Sequence, residues 1–181
     1  MAKIAILGGV TCLFTLAALG LVAYHTHAHC STKTGDVKDT TCVDGFEENC
    51  PGSFLVSTSG SVGGVEVSAR FSCPWKKETA VLGLIGLCLT QICLGVLFFT
   101  MRGKNLKTVM IALTALIVPI LLATFGLMIR DLKHGYDYKD SAGITEGWKP
   151  GTFIANIILV FFGACMIGTA AFLVHKHTAK N

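Results

Sequence analysis

Four long stretches without a charged residue constrain this chain more than any other feature. They cover residues 4–24, 79–101, 108–129 and 152–174, so each is 21 to 23 residues long. A helix needs about 20 consecutive apolar residues to cross the hydrocarbon core of a bilayer. We therefore predict an all-α membrane protein, a bundle of four transmembrane helices. The first stretch follows Lys3 and is longer than the usual core of a secretory signal, so we expect it to be retained as a membrane helix.

The charged residues are distributed unevenly between the segments that connect these stretches. All 11 acidic residues lie in two of the segments, 25–78 and 130–151. All charged residues of the remaining segments are basic, namely Lys3, Arg102, Lys104, Lys107, Lys176 and Lys180. Short cytoplasmic segments are rich in Lys and Arg, which predicts cytoplasmic N- and C-termini and two outer loops in a multi-pass membrane protein. We expect the plasma membrane, with another membrane of the secretory pathway as the alternative. Because the basic residues are dispersed beside helix ends, topology explains them better than nucleic-acid binding does.

The eight cysteines divide into two groups of four. Those inside the apolar stretches, where cysteine behaves as a small apolar residue, are Cys12, Cys88, Cys93 and Cys165. Those in the large loop, which enters the oxidising secretory lumen, are Cys30, Cys42, Cys50 and Cys73. Four loop cysteines predict two disulfides, and three pairings are possible. We favour Cys42–Cys50, which closes a short loop around a turn signal, and Cys30–Cys73, which links the two ends of the loop. None of these pairs has the spacing of a structural zinc site, and we expect no metal.

The large loop also has the pattern of β-strands. Residues 65–71 alternate between apolar and polar side chains, which is the two-residue period of a strand with one buried face. Residues 53–57 are a second strand candidate, and 59–64 are predicted to form the hairpin turn between the two strands. We therefore expect a small disulfide-linked extracellular β-sheet in the first loop.

Several residues are candidates for binding. His25, His27 and His29 alternate, so in a strand they would share one face suited to metal binding or pH sensing; the alternative is a polar stretch leaving the membrane. Trp148 lies where tryptophan anchors helices at the membrane interface, with a binding contact as the alternative.

The segment 41–50 reads Thr-Cys-Val-Asp-Gly-Phe-Glu-Glu-Asn-Cys. It resembles the paired first-loop cysteines of the claudin and peripheral-myelin-protein superfamily of four-helix membrane proteins. Cys30 is similar to a cysteine of the branch that contains receptor auxiliary subunits, and Arg70 to an arginine of claudins. Where that superfamily has Gly-Leu-Trp before the first cysteine, this chain has Lys-Asp-Thr-Thr at 38–41. The resemblance implies an auxiliary subunit of a channel or receptor complex, or a cell-adhesion or junction component.

The alternatives to an interaction protein lack their usual residues. A membrane oxidoreductase needs a Cys-x-x-Cys pair, whereas Cys88 and Cys93 are separated by four residues. A pore-former or transporter, assembled by oligomerisation, needs polar or ionisable residues in its helices; here Gln91 and Asn156 are the main polar candidates, and they can also bond between helices. We therefore predict no enzymatic activity and no cofactor.

The predicted partners are other integral membrane proteins and the lipid bilayer, with a homo-oligomer as a further option. The candidate contact is Phe46 with Glu47 and Glu48, because an aromatic residue with a polar rim is typical of binding hot spots. Trp148 is the second candidate. The alternative for Phe46 is packing inside the Cys42–Cys50 loop.

Overall fold

A computed structural model describes residues 2–26, 29–34, 37–39, 55–62, 65–72, 75–102, 105–141 and 150–178. The four helices are α1 (Ala2–Tyr24), α2 (Lys77–Met101), α3 (Lys107–Ser141) and α4 (Gly151–Thr178). Each is long and apolar enough to cross a membrane. The described part of the chain thus contains the four apolar helices that the sequence predicts.

The helices pack as a closed bundle in which each contacts two neighbours. Helix α1 packs against α2 and α4, and α3 packs against the same two helices. Every helix contributes fully buried side chains to the interior, among them Ala18, Leu87, Ile117 and Val160. Large apolar side chains instead cover the outside, where Ile6, Leu13 and Phe172 are each more than 60% exposed. An apolar surface of this extent suits contact with lipid rather than water.

Glycines allow the helices to approach closely. A Cβ atom added to Gly86 of α2 would lie 2.9 Å from Cγ2 of Ile120 on α3. A Cβ atom added to Gly163 of α4 would lie 2.9 Å from Cγ2 of Thr15 on α1. Small residues at such crossings are typical of helix packing in membranes. Here the two glycines lie at contacts between helices of the same chain.

Helix α3 is longer than its charge-free stretch. It has 35 residues and continues through Ser141, so the segment 130–151 begins as helix. The first charged residue after an apolar stretch marks the predicted boundary of the membrane. A helix continues past that boundary where the following residues have a high helix propensity. Residues 130–141 contain no proline and include several good helix formers, such as Leu132 and Lys133.

The described residues between α1 and α2 form four strands. They are β1 (His29–Thr34), β2 (Val37–Asp39), β3 (Leu55–Val62) and β4 (Val65–Ser72), in the antiparallel order β2-β1-β4-β3. The alternating segment 65–71 falls within β4, which is flanked by β1 and β3. Strand β3 continues to Val62, which pairs with Val65, so residues 59–62 are strand and not the turn predicted from their Ser and Gly content. The remaining part of the predicted turn, Gly63 and Gly64, lies outside the described residues.

Candidate functional site

The residues predicted to bind a partner lie outside the described residues. This applies to Phe46, Glu47, Glu48 and Trp148, and equally to Cys42, Cys50 and Cys73. Cys30 lies in β1, where its backbone is opposite Phe71 of β4. The predicted disulfides and contact residues therefore stay predictions. The described residues instead bring together a group of side chains at the ends of the helices, close in sequence to the sheet.

This group, the helix-end cluster, contains residues from or next to all four helices. Its members are His25, Trp75, Thr79, Arg130, Asp131 and Phe153. His25 follows α1 and Trp75 precedes α2, so these two residues lie where the chain leaves the bundle for the sheet and where it returns.

The aromatic half of the cluster joins α1, α2 and α4. The backbone N–H of Trp75 donates to the carbonyl of His25 at 2.9 Å. The ring of Phe153, which is fully buried, packs against both residues, with its centroid 4.1 Å from that of His25 and 5.1 Å from that of Trp75. The Trp75 and Phe153 planes meet at 89°, the edge-to-face arrangement that the charge distribution of aromatic rings favours. His25 and Trp75 are also buried, at 3% and 2% exposure.

The polar half of the cluster joins α2 and α3 through Asp131. This carboxylate is fully buried. It accepts hydrogen bonds from the Thr79 hydroxyl at 2.7 Å and from the backbone N–H of Lys76 at 3.3 Å. Lys76 directly precedes α2, so the carboxylate lies at the helix end where unpaired N–H groups and the helix dipole favour a negative charge.

Arg130 completes the polar half. Its guanidinium donates to Asp131 Oδ1 from Nε at 3.0 Å and from Nη2 at 2.8 Å. The same Nη2 approaches Glu78 of α2 at 3.4 Å. The Glu78 side chain is 60% exposed, so this second contact is a surface ion pair of small energy, whereas the contact with Asp131 neutralises a buried charge.

The arrangement corrects the histidine hypothesis. His25 does not lie in a strand with His29: it packs on Phe153, and β1 begins at His29. His27 lies outside the described residues. Among the described residues, no group of three or more His, Cys, Asp or Glu side chains is placed to hold a metal ion.

A second polar contact lies deeper in the bundle. The amide Nε2 of Gln91 in α2 donates to Oγ1 of Thr15 in α1 at 2.7 Å, and the Cys12 thiol lies 3.5 Å from Gln91 Oε1. The bond between helices that the sequence offers as the alternative to pore lining is thus observed for Gln91. Asn156 behaves differently, because its buried amide has no hydrogen-bond partner among the described residues.

The helix-end cluster does not follow from the sequence pattern. Arg130 and Asp131 predict only the start of an outer loop, because a charged pair normally marks the end of a membrane span. One sequence signal was available: an acidic residue directly after one span and a Lys-Lys-Glu-Thr segment at the start of another, both assigned to the same side of the membrane.

Comparison of the chain with protein-family models, with curated proteins and with solved structures finds no match.

Proposed function

We propose that this protein acts by binding other integral membrane proteins, as an auxiliary subunit of a channel or receptor complex or as a cell-adhesion component. This is the function that the resemblance to the claudin superfamily implies. The observation that carries the proposal is the direct attachment of the loop to the helix ends. The His25 and Trp75 backbones are hydrogen-bonded to each other at 2.9 Å, so the strand-bearing loop starts and ends at one fixed point.

A loop held in this way suits recognition. Binding costs less free energy when the binding segment is already ordered. The Trp75 and Phe153 rings and the Asp131 hydrogen bonds restrain the helix ends, and β1 and β4 are only a few residues from His25 and Trp75. The proposed pairs Cys30–Cys73 and Cys42–Cys50 would restrain the same loop further.

The packed interior of the described helices argues against conduction through a single copy of the chain. Buried side chains from all four helices occupy it, including Leu87 and Ile117. The amide of Gln91, a main candidate for lining a pore, is bonded to Thr15 within the chain. A path for ions through a single copy would require these packed side chains to move apart.

Orientation and location belong to the same proposal. The basic segments support cytoplasmic termini, and an oxidised outer loop fits the plasma membrane. With this orientation, the strands and the helix-end cluster face the cell exterior. The proposed partner contacts are Phe46, Glu47 and Glu48, with Trp148 on the second loop.

The test exchanges loop residues while preserving the cysteines. Residues 43–48 are replaced with Gly and Ser, and tagged protein is extracted from the plasma membrane in mild detergent to identify the membrane proteins that stay attached. A matched control replaces residues 103–105, on the opposite side of the membrane. We expect the loop variant to reach the surface but to lose a partner that the control keeps.

A second loop variant makes the experiment decisive. It replaces residues 143–148, which include Trp148. If both loop variants keep every partner that the wild-type protein keeps, recognition does not occur through these loops and the proposal fails.

A further inference from the structure

A groove runs along the outside of the bundle between α3 and α4. It has a volume of about 560 Å³. Residues Ile111, Ala115 and Pro119 line it on α3, and Ala171, Phe172 and His175 line it on α4. The alanines leave room between the helices, while Phe172, which is 63% exposed, forms a high wall. Thr114 and Val118 of α3 complete the lining. Thr114 and His175 are polar and the other lining residues are apolar, and the groove opens toward the surroundings of the bundle.

Together with the helical turn that precedes it, the groove spans about the thickness of one membrane leaflet. On α3 it extends from Ile111 to Pro119, and Lys107 lies one turn before Ile111 on the same helix face. At 1.5 Å per residue, the distance from Lys107 to Pro119 is about 18 Å. Half of the hydrocarbon core is about 15 Å thick. An acyl chain whose headgroup is level with Lys107 would therefore reach the Pro119 end of the groove near the bilayer midplane.

The open end of the groove is basic. Lys107 lies beyond Ile111, and Lys176 lies one turn beyond Phe172 on the same face of α4. His175 lines the groove at that end. The acidic residues of the four helices, Glu78, Asp131, Asp137 and Asp140, all lie at the opposite end of the bundle.

We propose that this groove binds one anionic glycerophospholipid, with an acyl chain between α3 and α4 and the headgroup phosphate between Lys107 and Lys176. The apolar lining favours an acyl chain, and the two lysines favour a lipid with a net negative headgroup. Each basic residue near a membrane surface contributes a favourable interaction with anionic lipid, and Lys side chains extend along apolar surface toward the headgroups. This proposal is independent of the interaction function proposed above.

The test measures lipid retention by native mass spectrometry. The purified full chain in detergent is mixed with equal amounts of phosphatidylserine and phosphatidylcholine that have identical acyl chains. We expect one phosphatidylserine to be retained, with a preference of roughly 30-fold over phosphatidylcholine, as two lysines near the headgroup imply. The K107Q/K176Q double variant should retain the two lipids about equally.

Filling the groove tests the acyl-chain site. A115F and A171F should each reduce the retention of both lipids several-fold. A112F is the matched control, because Ala112 is an exposed alanine of α3 that does not line the groove. A112F should change the retention of neither lipid. K107Q/K176Q changes side chains at the helix ends, so it decides the charge component even if a groove variant fails to fold.

Three results would overturn the proposal. The first is equal retention of the two lipids by the wild-type chain. The second is an equal loss of lipid in A112F and A115F. The third is loss of a dimer in A115F without any change in bound lipid, which would assign the groove to a second copy of the chain.

Discussion

Among single residues, Asp131 stands out because its carboxylate is fully buried. A buried carboxylate loses its hydration and is tolerated only where hydrogen bonds and an opposite charge replace it. Asp131 obtains both, from Thr79, Lys76 and Arg130. Its partners belong to two helices, so the side chain that needs them also joins α2 to α3.

Replacing Asp131 with Ala should therefore destabilise the bundle. The Thr79 hydroxyl and the Lys76 N–H would lose their acceptor, and we expect a decrease of roughly 2–4 kcal/mol in the free energy of unfolding. Asp131→Asn should cost less, because an amide oxygen can still accept one of these bonds. Denaturation of the purified protein in detergent measures the effect. Asp137→Ala, at an exposed position of the same helix, should change stability little, and an equal loss in both variants would contradict the assigned role.

The bond between Gln91 and Thr15 is a second residue-scale case, and a double-mutant cycle can measure it. Hydrogen bonds between membrane helices contribute on average about 0.6 kcal/mol and up to about 1.7 kcal/mol. We expect Gln91→Leu and Thr15→Val to show a coupling energy in this range. Thr169 serves as the control, because it bonds to the Cys165 carbonyl of its own helix. Gln91→Leu and Thr169→Val should be additive, and absence of coupling in the first pair would show that the 2.7 Å contact contributes nothing.

Among the elements, the sequence predicts the helices more accurately than their contacts. A stretch of more than 20 residues without charge has few alternatives to a membrane helix, so the existence of α1 to α4 follows from length alone. The end of α3 does not follow, because helix propensity continues past the membrane boundary. The position of Asp131 against the start of α2 does not follow either, since it depends on how two helices are rotated and shifted relative to each other.

The crossing of α2 and α3 gives a prediction at the scale of elements. A Cβ atom on Gly86 would lie 2.9 Å from Ile120 and 3.0 Å from Leu121. Because Cγ2 of Ile120 is held next to the helix backbone, Gly86→Ala should push the helices apart, with a cost of roughly 1–3 kcal/mol. Gly95→Ala is the matched control on the same helix, because its added Cβ meets nothing within 4 Å. It should be neutral or slightly stabilising. If thermal denaturation shows equal effects, the close approach at Gly86 is not limiting.

For the whole molecule, the number of membrane spans determines whether the two termini lie on the same side of the membrane. Four membrane helices place the N- and C-termini on the same side, and the basic segments favour the cytoplasm. A tag before Met1 and a tag after Asn181 should both be detected only after the cells are permeabilised. A tag inserted between residues 143 and 147 should be detected on intact cells. Detection of just one terminal tag on intact cells would mean an odd number of spans.

The length of α3 has a mechanical consequence. From Arg130 to Ser141 the helix extends for about 16 Å, whereas the headgroup layer is only about 5–8 Å thick. A helix standing along the membrane normal would therefore project roughly 10 Å beyond the headgroups. Such a rod is stiff, so a sideways force on its tip acts as a torque at its base. The base is where Asp131 is bonded to the start of α2, and a pull on the tip would load those hydrogen bonds first.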